Sequence, residues 1–181
     1  EGRVAAMDFT ERLKLVAEKD RLAGVDHLCA ALQVDTSGSP PGAYATMTWD
    51  DFRSLIAKGL VEVGPHTVTH PILSRLGPDQ ISWEIRESWR RLREECPSAI
   101  PVFCYPNGTP ADYTRETMAA VREAGLVAAV TTEPQHVRRL GSDPDELYHL
   151  PRFSCPNDVP HLAQVVSGIE RAKMAFMDKL S

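Results

Sequence analysis

From residue 48 onward, helical and extended patterns alternate along this chain, and that alternation restricts the fold more than any other feature. Helix spacing over residues 48–58, 78–96 and 114–124 is interleaved with short apolar runs at 60–64, 101–105 and 126–132. Each unit lays an amphipathic helix over an apolar strand, so the sheet is expected to be mostly parallel, open or closed into a barrel. A closing strand is expected at 147–153 and a long C-terminal helix from about 159 to 179. With 181 residues and 43% hydrophobic content, the chain can bury one sizeable core.

The first 47 residues read differently. Residues 9–22 and 25–33 have helical spacing, with Phe9, Leu13 and Val16, then Leu28, Ala31 and Leu32, as apolar stripes. They suggest a helical hairpin or insertion. Residues 35–43, rich in Ser, Gly and Pro, are expected to be a loop, and the only poorly ordered segment. The expected division is therefore a helical segment plus loop at 1–47 and an α/β region at 48–181, one domain overall. Within the latter, Gly77-Pro78-Asp79 makes a good helix start, and Ile81, Ile85, Trp89 and Leu92 form a core-facing stripe that leaves Trp83 to one side.

The chemistry concentrates in Val63-Gly64-Pro65-His66-Thr67-Val68-Thr69-His70-Pro71. Two imidazoles four residues apart can reach one ion as neutral nitrogen ligands, and such a pair favours zinc, with cobalt or nickel as alternatives, over calcium or magnesium. A catalytic zinc takes about three protein ligands, so another must come from elsewhere. The zinc-protease helix motif is excluded because Thr67 stands where its Glu would be, and Pro71 disfavours helix at His70. The alternative is two loop histidines hydrogen-bonded to backbone.

Residues 48–76, TWDDFRSLIAKGLVEVGPHTVTHPILSRL, resemble the segment carrying the second motif of the polysaccharide deacetylases, the NodB-homology domains of carbohydrate esterase family 4. Phe103-Cys104-Tyr105-Pro106-Asn107-Gly108 resembles the third motif, Val130-Thr131-Thr132-Glu133-Pro134 the following strand end, and Leu150-Pro151-Arg152 the last motif. The likeness implies an α/β fold, a partial or distorted (β/α) barrel of the NodB-homology type with an N-terminal helical segment. All four pieces would then meet at the C-terminal ends of the strands, where such folds place their sites.

The resemblance further implies that His66 and His70 hold the metal, most simply zinc. It makes the backbone N–H of Asn107, which stands in place of a Tyr, an oxyanion donor, and it makes Tyr105 and Pro106 substrate contacts. In the family an aspartate pair supplies the third ligand and the base. Thr48-Trp49-Asp50-Asp51 imitates that Thr-Phe-Asp-Asp motif, but a Thr followed three residues later by an acid, leading into Phe52, Leu55 and Ile56, is a capping box. The catalytic aspartate thus has no counterpart here and is expected upstream of Glu1. Cys104 stands where an Arg often opens the third motif, and Arg152 where the last motif has a His. An arginine stays protonated at neutral pH, so Arg152 cannot serve as the proton donor there. It would bind an anionic sugar substituent, stabilise negative charge, or close the rim in a salt bridge. On a strand His149 faces opposite to Leu150, so it is not a replacement.

The leading expectation is a metal-dependent hydrolase that de-N-acetylates a polysaccharide or a lipid- or nucleotide-linked sugar. The alternatives are an inactive deacetylase-like module that binds carbohydrate or metal, and an unrelated α/β domain with a fortuitous histidine pair. A net charge of −5 offers no basic field for nucleic acid, and Arg90-Arg91 and Arg138-Arg139 read as solvated faces. No apolar run reaches the roughly 18 residues of a membrane span. Four cysteines, Cys29, Cys96, Cys104 and Cys155, are too sparse for a disulfide framework, which suggests buried free thiols and a cytoplasmic home. A metal role for Cys104 is the lesser alternative. A chain without the family's first strand would expose a sheet edge and form homo-oligomers. Self-association is therefore expected in light scattering at high concentration, and a monodisperse monomer would refute it.

Overall fold

Thr48 begins the α/β region as its capping chemistry dictates. In the computed structural model, which describes residues 2–35, 38, 40, 42–137, 141 and 143–169, the Thr48 hydroxyl accepts the Asp51 N–H at 3.2 Å and Asp51 accepts the Thr48 N–H at 3.0 Å. This capping box opens a helix at Trp49–Ile56. Asp50 pairs instead with Arg53 at 2.7 Å, so both acids are spent on the helix.

The N-terminal segment is helical, but its break falls elsewhere than expected. Helix α1 spans Gly2–Leu13 and α2 spans Glu18–Ala31, so the chain turns at 14–17 rather than near Gly24. Two acids, Glu18 and Asp20, favour a helix start there. Gly24 lies inside α2, where a Cβ would stand 2.9 Å from the Leu13 side chain, so its smallness serves close helix packing. Of the expected loop, residues 36, 37, 39 and 41 lie outside the described residues, and Gly42–Tyr44 forms a short 3-10 turn.

Counting Trp49–Ile56 as α3, the next helix, α4, is Pro78–Glu95. Proline at its first position and Cys96-Pro97 at its end fix its limits. Its buried residues are Ile81, Glu84, Ile85, Trp89 and Leu92, which is the expected stripe with one acid added; Trp83 is 53% exposed. Strand β1, Val102–Cys104, and strand β2, Ala128–Val130, flank α5, Arg115–Glu123, whose N-cap is Thr114. The strands pair in parallel with Phe103 opposite Ala129. Leu73, Ile85, Phe103, Val121, Leu126 and Ala129, none more than 2% exposed, form the heart of the core.

Two expected strands are reduced to extended backbone beside this pair. At 60–64, Val63 accepts the Ile100 N–H at 2.8 Å and Pro65 accepts the Cys104 N–H at 3.0 Å. In the register set by Val63 the returning donor would be residue 65, and proline has none. At 147–153, Glu146–Tyr148 is a 3-10 turn and only the parallel bridge Val130–Leu150 remains. Leu150 N–H reaches Ala129 at 2.9 Å and Thr131 N–H reaches Leu150 at 2.8 Å. Four extended segments therefore lie side by side, in the order 61–65, β1, β2 and 150, as a parallel fragment of sheet.

Helix α6 spans Val159–Val166 and ends at its C-cap Ser167, with Gly168 at φ 79°, so the long helix expected to run to 179 is broken there; residues 170–181 and Arg138-Arg139 lie outside the described residues. All four cysteines are free, but only Cys96 is buried and Cys155 is exposed. Among the described residues no helix is long and apolar enough to cross a membrane.

Gly64 sets how closely the 61–65 segment approaches β1, since a Cβ there would stand 2.1 Å from the Val102 carbonyl oxygen. Gly64→Ala is therefore expected to destabilise the fold by about 1–3 kcal/mol, the range for forced overpacking. A urea midpoint equal to that of the unsubstituted protein would refute the contact.

Candidate functional site

The 61–65 segment ends in the histidine loop, and β1 fixes the first ring. His66 Nδ1 lies 2.7 Å from the Cys104 carbonyl oxygen. A carbonyl only accepts, so Nδ1 carries the proton, and in the neutral ring Nε2 is then the nitrogen with the free lone pair. The second ring is brought to the first by two left-handed residues, Thr67 at φ 67° and His70 at φ 59°. The ring centroids of His66 and His70 are 4.8 Å apart at an interplanar angle of 76°, and both residues are exposed.

Left-handed backbone costs an L-residue about 1–3 kcal/mol, and a β-branched Thr is an outlier there. The loop holds it by local bonds. Thr67 Oγ1 donates to the His66 carbonyl at 2.5 Å and accepts the His70 N–H at 3.1 Å. From α4, Glu84 accepts the N–H groups of Val68 at 2.7 Å and Thr69 at 3.0 Å, and the Thr69 hydroxyl at 2.5 Å. Glu84 was not singled out by motif. The signal available was an acid inside the α4 apolar stripe, three residues after Ile81 and five before Trp89.

Asn107 shares a cavity with His70. Asn107 adopts φ 57°, its carbonyl accepts the Thr132 hydroxyl at 2.6 Å, and among the described residues its N–H has no acceptor. Gly108, at φ 74°, packs where a Cβ would be 3.1 Å from Thr132 N. Arg152 donates its N–H to the Glu133 carbonyl at 3.0 Å, and Glu133 accepts the Tyr113 hydroxyl at 3.0 Å. The positive charge of Arg152 pulls the Cys104 thiol pKa down, but burial, the larger effect, leaves it above the ordinary thiol value. Among the described residues no carboxylate pairs with Arg152. His149 closes the 3-10 turn and is half-buried.

Tyr105 and Pro106 are corrected by their burial. Tyr105 is 1% exposed, stacks on Tyr113 with centroids 4.5 Å apart, and donates to the Tyr148 carbonyl at 2.8 Å. Burial drives its hydroxyl pKa well above the ordinary range. Pro106 is likewise fully buried. Both support the rim from beneath and have no surface for a sugar.

Two cavities adjoin the rings. One, about 680 Å³, runs from His70, Asn107 and Ile72 to Phe9 and Leu13 of α1 and Leu28 of α2. The other, about 490 Å³, lies on the His66 side between Trp49, Trp83 and Arg91. As to metal, the two imidazoles fit two ligand positions, since His66 offers Nε2 while Nδ1 is anchored. Among the described residues no group of three His, Cys, Asp or Glu side chains is placed to hold an ion.

Comparison with known proteins agrees on the kind of scaffold. The family model described as polysaccharide deacetylase matches residues 31–129. The chitooligosaccharide deacetylase of Bradyrhizobium sp. is 34% identical over 104 residues, 56% of this chain and 46% of that protein. The chain thus spans about half the length of the curated relatives it matches. Among solved structures, Streptococcus pyogenes deacetylase PplD, in complex with acetate, is 26% identical with a TM-score of 0.54, over 68% of this chain and 52% of that one. A de-N-acetylase from Aggregatibacter actinomycetemcomitans, 13% identical, has a TM-score of 0.55 over 74% and 61% and shares the fold.

The Cys104 contact makes one further expectation measurable. In long-range ¹H–¹⁵N spectra, neutral His66 is expected as the Nδ1–H tautomer. A dominant Nε2–H tautomer would refute the anchoring.

Proposed function

The chain belongs to the polysaccharide deacetylase family, and from that premise we propose that its rim serves metal-dependent de-N-acetylation of a carbohydrate. The observation that carries this reading is the juxtaposed pair His66 and His70, with ring centroids 4.8 Å apart and the His66 ring anchored to the Cys104 carbonyl. His66 Nε2 and a nitrogen of His70 would hold the ion, zinc by preference or cobalt or nickel, as expected for a borderline imidazole site. When bound, such an ion supplies Lewis acidity, polarising an acetamido carbonyl and bringing the pKa of water toward neutrality.

The chain's own groups supply the rest that can be assigned. The Asn107 N–H, beside His70 on the same cavity, would donate to the oxyanion that forms as the acetyl carbonyl is attacked. Arg152 would fix an anionic or strongly polar sugar substituent, because it stays charged at every working pH. The substrates named for the Bradyrhizobium and Sinorhizobium relatives, chitooligosaccharides, support an N-acetylated sugar chain as the substrate class. The sheet fragment is read as part of a (β/α) barrel, with this rim at its C-terminal end.

A second reading, an inactive module that binds carbohydrate or metal, is favoured by one observation. Among the described residues no carboxylate joins the imidazoles as third ligand or base. Elemental mass spectrometry after dialysis, with acetate release from an N-acetylglucosamine oligomer, separates the two. Near one metal per chain, lost in the His66→Ala/His70→Ala double variant, together with acetate release, is expected for the enzyme. Metal without acetate would favour the module, and no metal in either protein would overturn the ligand assignment.

A further inference from the structure

Glu84 is a carboxylate in an apolar place. It is 5% exposed, on the face of α4 that also buries Ile81, Ile85 and Trp89, and among the described residues no Lys, Arg or His pairs with it. A desolvated carboxylate must be met by hydrogen-bond donors. All three donors found come from the histidine loop: Val68 N–H at 2.7 Å, Thr69 N–H at 3.0 Å and the Thr69 hydroxyl at 2.5 Å.

Those two peptides lie between the left-handed residues Thr67 and His70. Released from outside restraint, both would relax toward negative φ, and rotation at either would swing one imidazole away from the other. We propose that Glu84 is the positioning residue of the His66–His70 pair, gripping residues 68 and 69 so that the turns on either side hold both rings toward one ion. The inference rests on the reading of these histidines as metal ligands. It extends that reading from the ring nitrogens to a buried acid on another helix. Pre-setting the ligands in this way raises affinity because less freedom is lost on binding.

The test titrates Co²⁺ by calorimetry into the unsubstituted protein, Glu84→Gln, Glu84→Ala and Val121→Ala, with thermal unfolding and amide hydrogen exchange on each. Partners outside the ligand shell are typically worth about 10–100-fold in affinity, and Glu84→Ala is expected to lose that much. Glu84→Gln keeps the shape and one acceptor oxygen, so it should fall between. Val121→Ala, a cavity in the core far from the loop in sequence, should unfold at a lower temperature yet bind cobalt normally. Exchange at Val68 and Thr69 should accelerate in both Glu84 variants. Unchanged affinity in a folded Glu84 variant would overturn the proposal; if Glu84→Ala does not fold, Glu84→Gln decides. If the unsubstituted protein binds no cobalt, the metal reading fails. Hydrogen exchange then judges the grip alone: lost protection at 68 and 69 supports it, retained protection refutes it.

Discussion

The rim depends on one backbone contact, the apposition of residues 63–66 to β1. Cys104 addresses the histidine loop with both of its backbone groups: its N–H goes to the Pro65 carbonyl at 3.0 Å and its carbonyl takes the His66 Nδ1 proton at 2.7 Å. Because both bonds are main-chain on the Cys104 side, the direction of the His66 ring follows from sheet position. Gly64 permits the approach, since any Cβ would meet the Val102 carbonyl. Every other rim element is referred to the same strand, because Tyr105 N–H reaches Val130 at 3.2 Å and β2 in turn carries Leu150.

The rim is also where the backbone is least relaxed. Thr67, His70 and Asn107 are all non-glycine residues in the left-handed region. Asparagine tolerates that region through its short polar side chain, so Asn107-Gly108 is a good turn whatever it faces. Thr67 has no such allowance, and it is the residue whose hydroxyl is tied on both sides and whose neighbours are gripped by Glu84. Strain held by surrounding bonds at one loop, while the helices and strands stay regular, is the pattern expected where side-chain direction matters more than stability.

The sequence made the helices legible because their determinants are local. Thr48 and Thr114 cap by hydrogen bonds within three residues, and the α4 stripe needs only its own periodicity. The flanking strands are shorter than their apolar runs suggest because an apolar run says nothing of whether its N–H groups find acceptors. Pro65 removes one donor and the 3-10 turn at Glu146–Tyr148 removes another length of ladder. At the site, the residues to inspect were legible while their depth was not. Tyr105 sits in a motif position but points into the core, since strand alternation and its stack on Tyr113 bury it. Glu84 was hidden for the opposite reason: its role lies in a loop fifteen and sixteen residues away, and only the fold brings them together.

Charge at the rim follows from what stands in the substituted positions. The Cys104 thiol, raised by burial, is neutral at neutral pH, so Arg152 beside it keeps its charge uncompensated by a thiolate. The imidazoles contribute lone pairs and no negative charge. Asp50 and Asp51 are committed to α3, through Arg53 and through Thr48, whose hydrogen bonds hold the Asp51 carboxyl below its usual pKa. Glu84 is turned toward the loop backbone, and Glu133 takes the Tyr113 hydroxyl. Among the described residues, a rim with two lone-pair donors, a guanidinium and its carboxylates committed to other partners attracts anions. If the proposed dipositive ion is held there it adds to that attraction, and a group bringing negative charge, a carboxylate of the protein or an anionic group of the sugar, would complement the site.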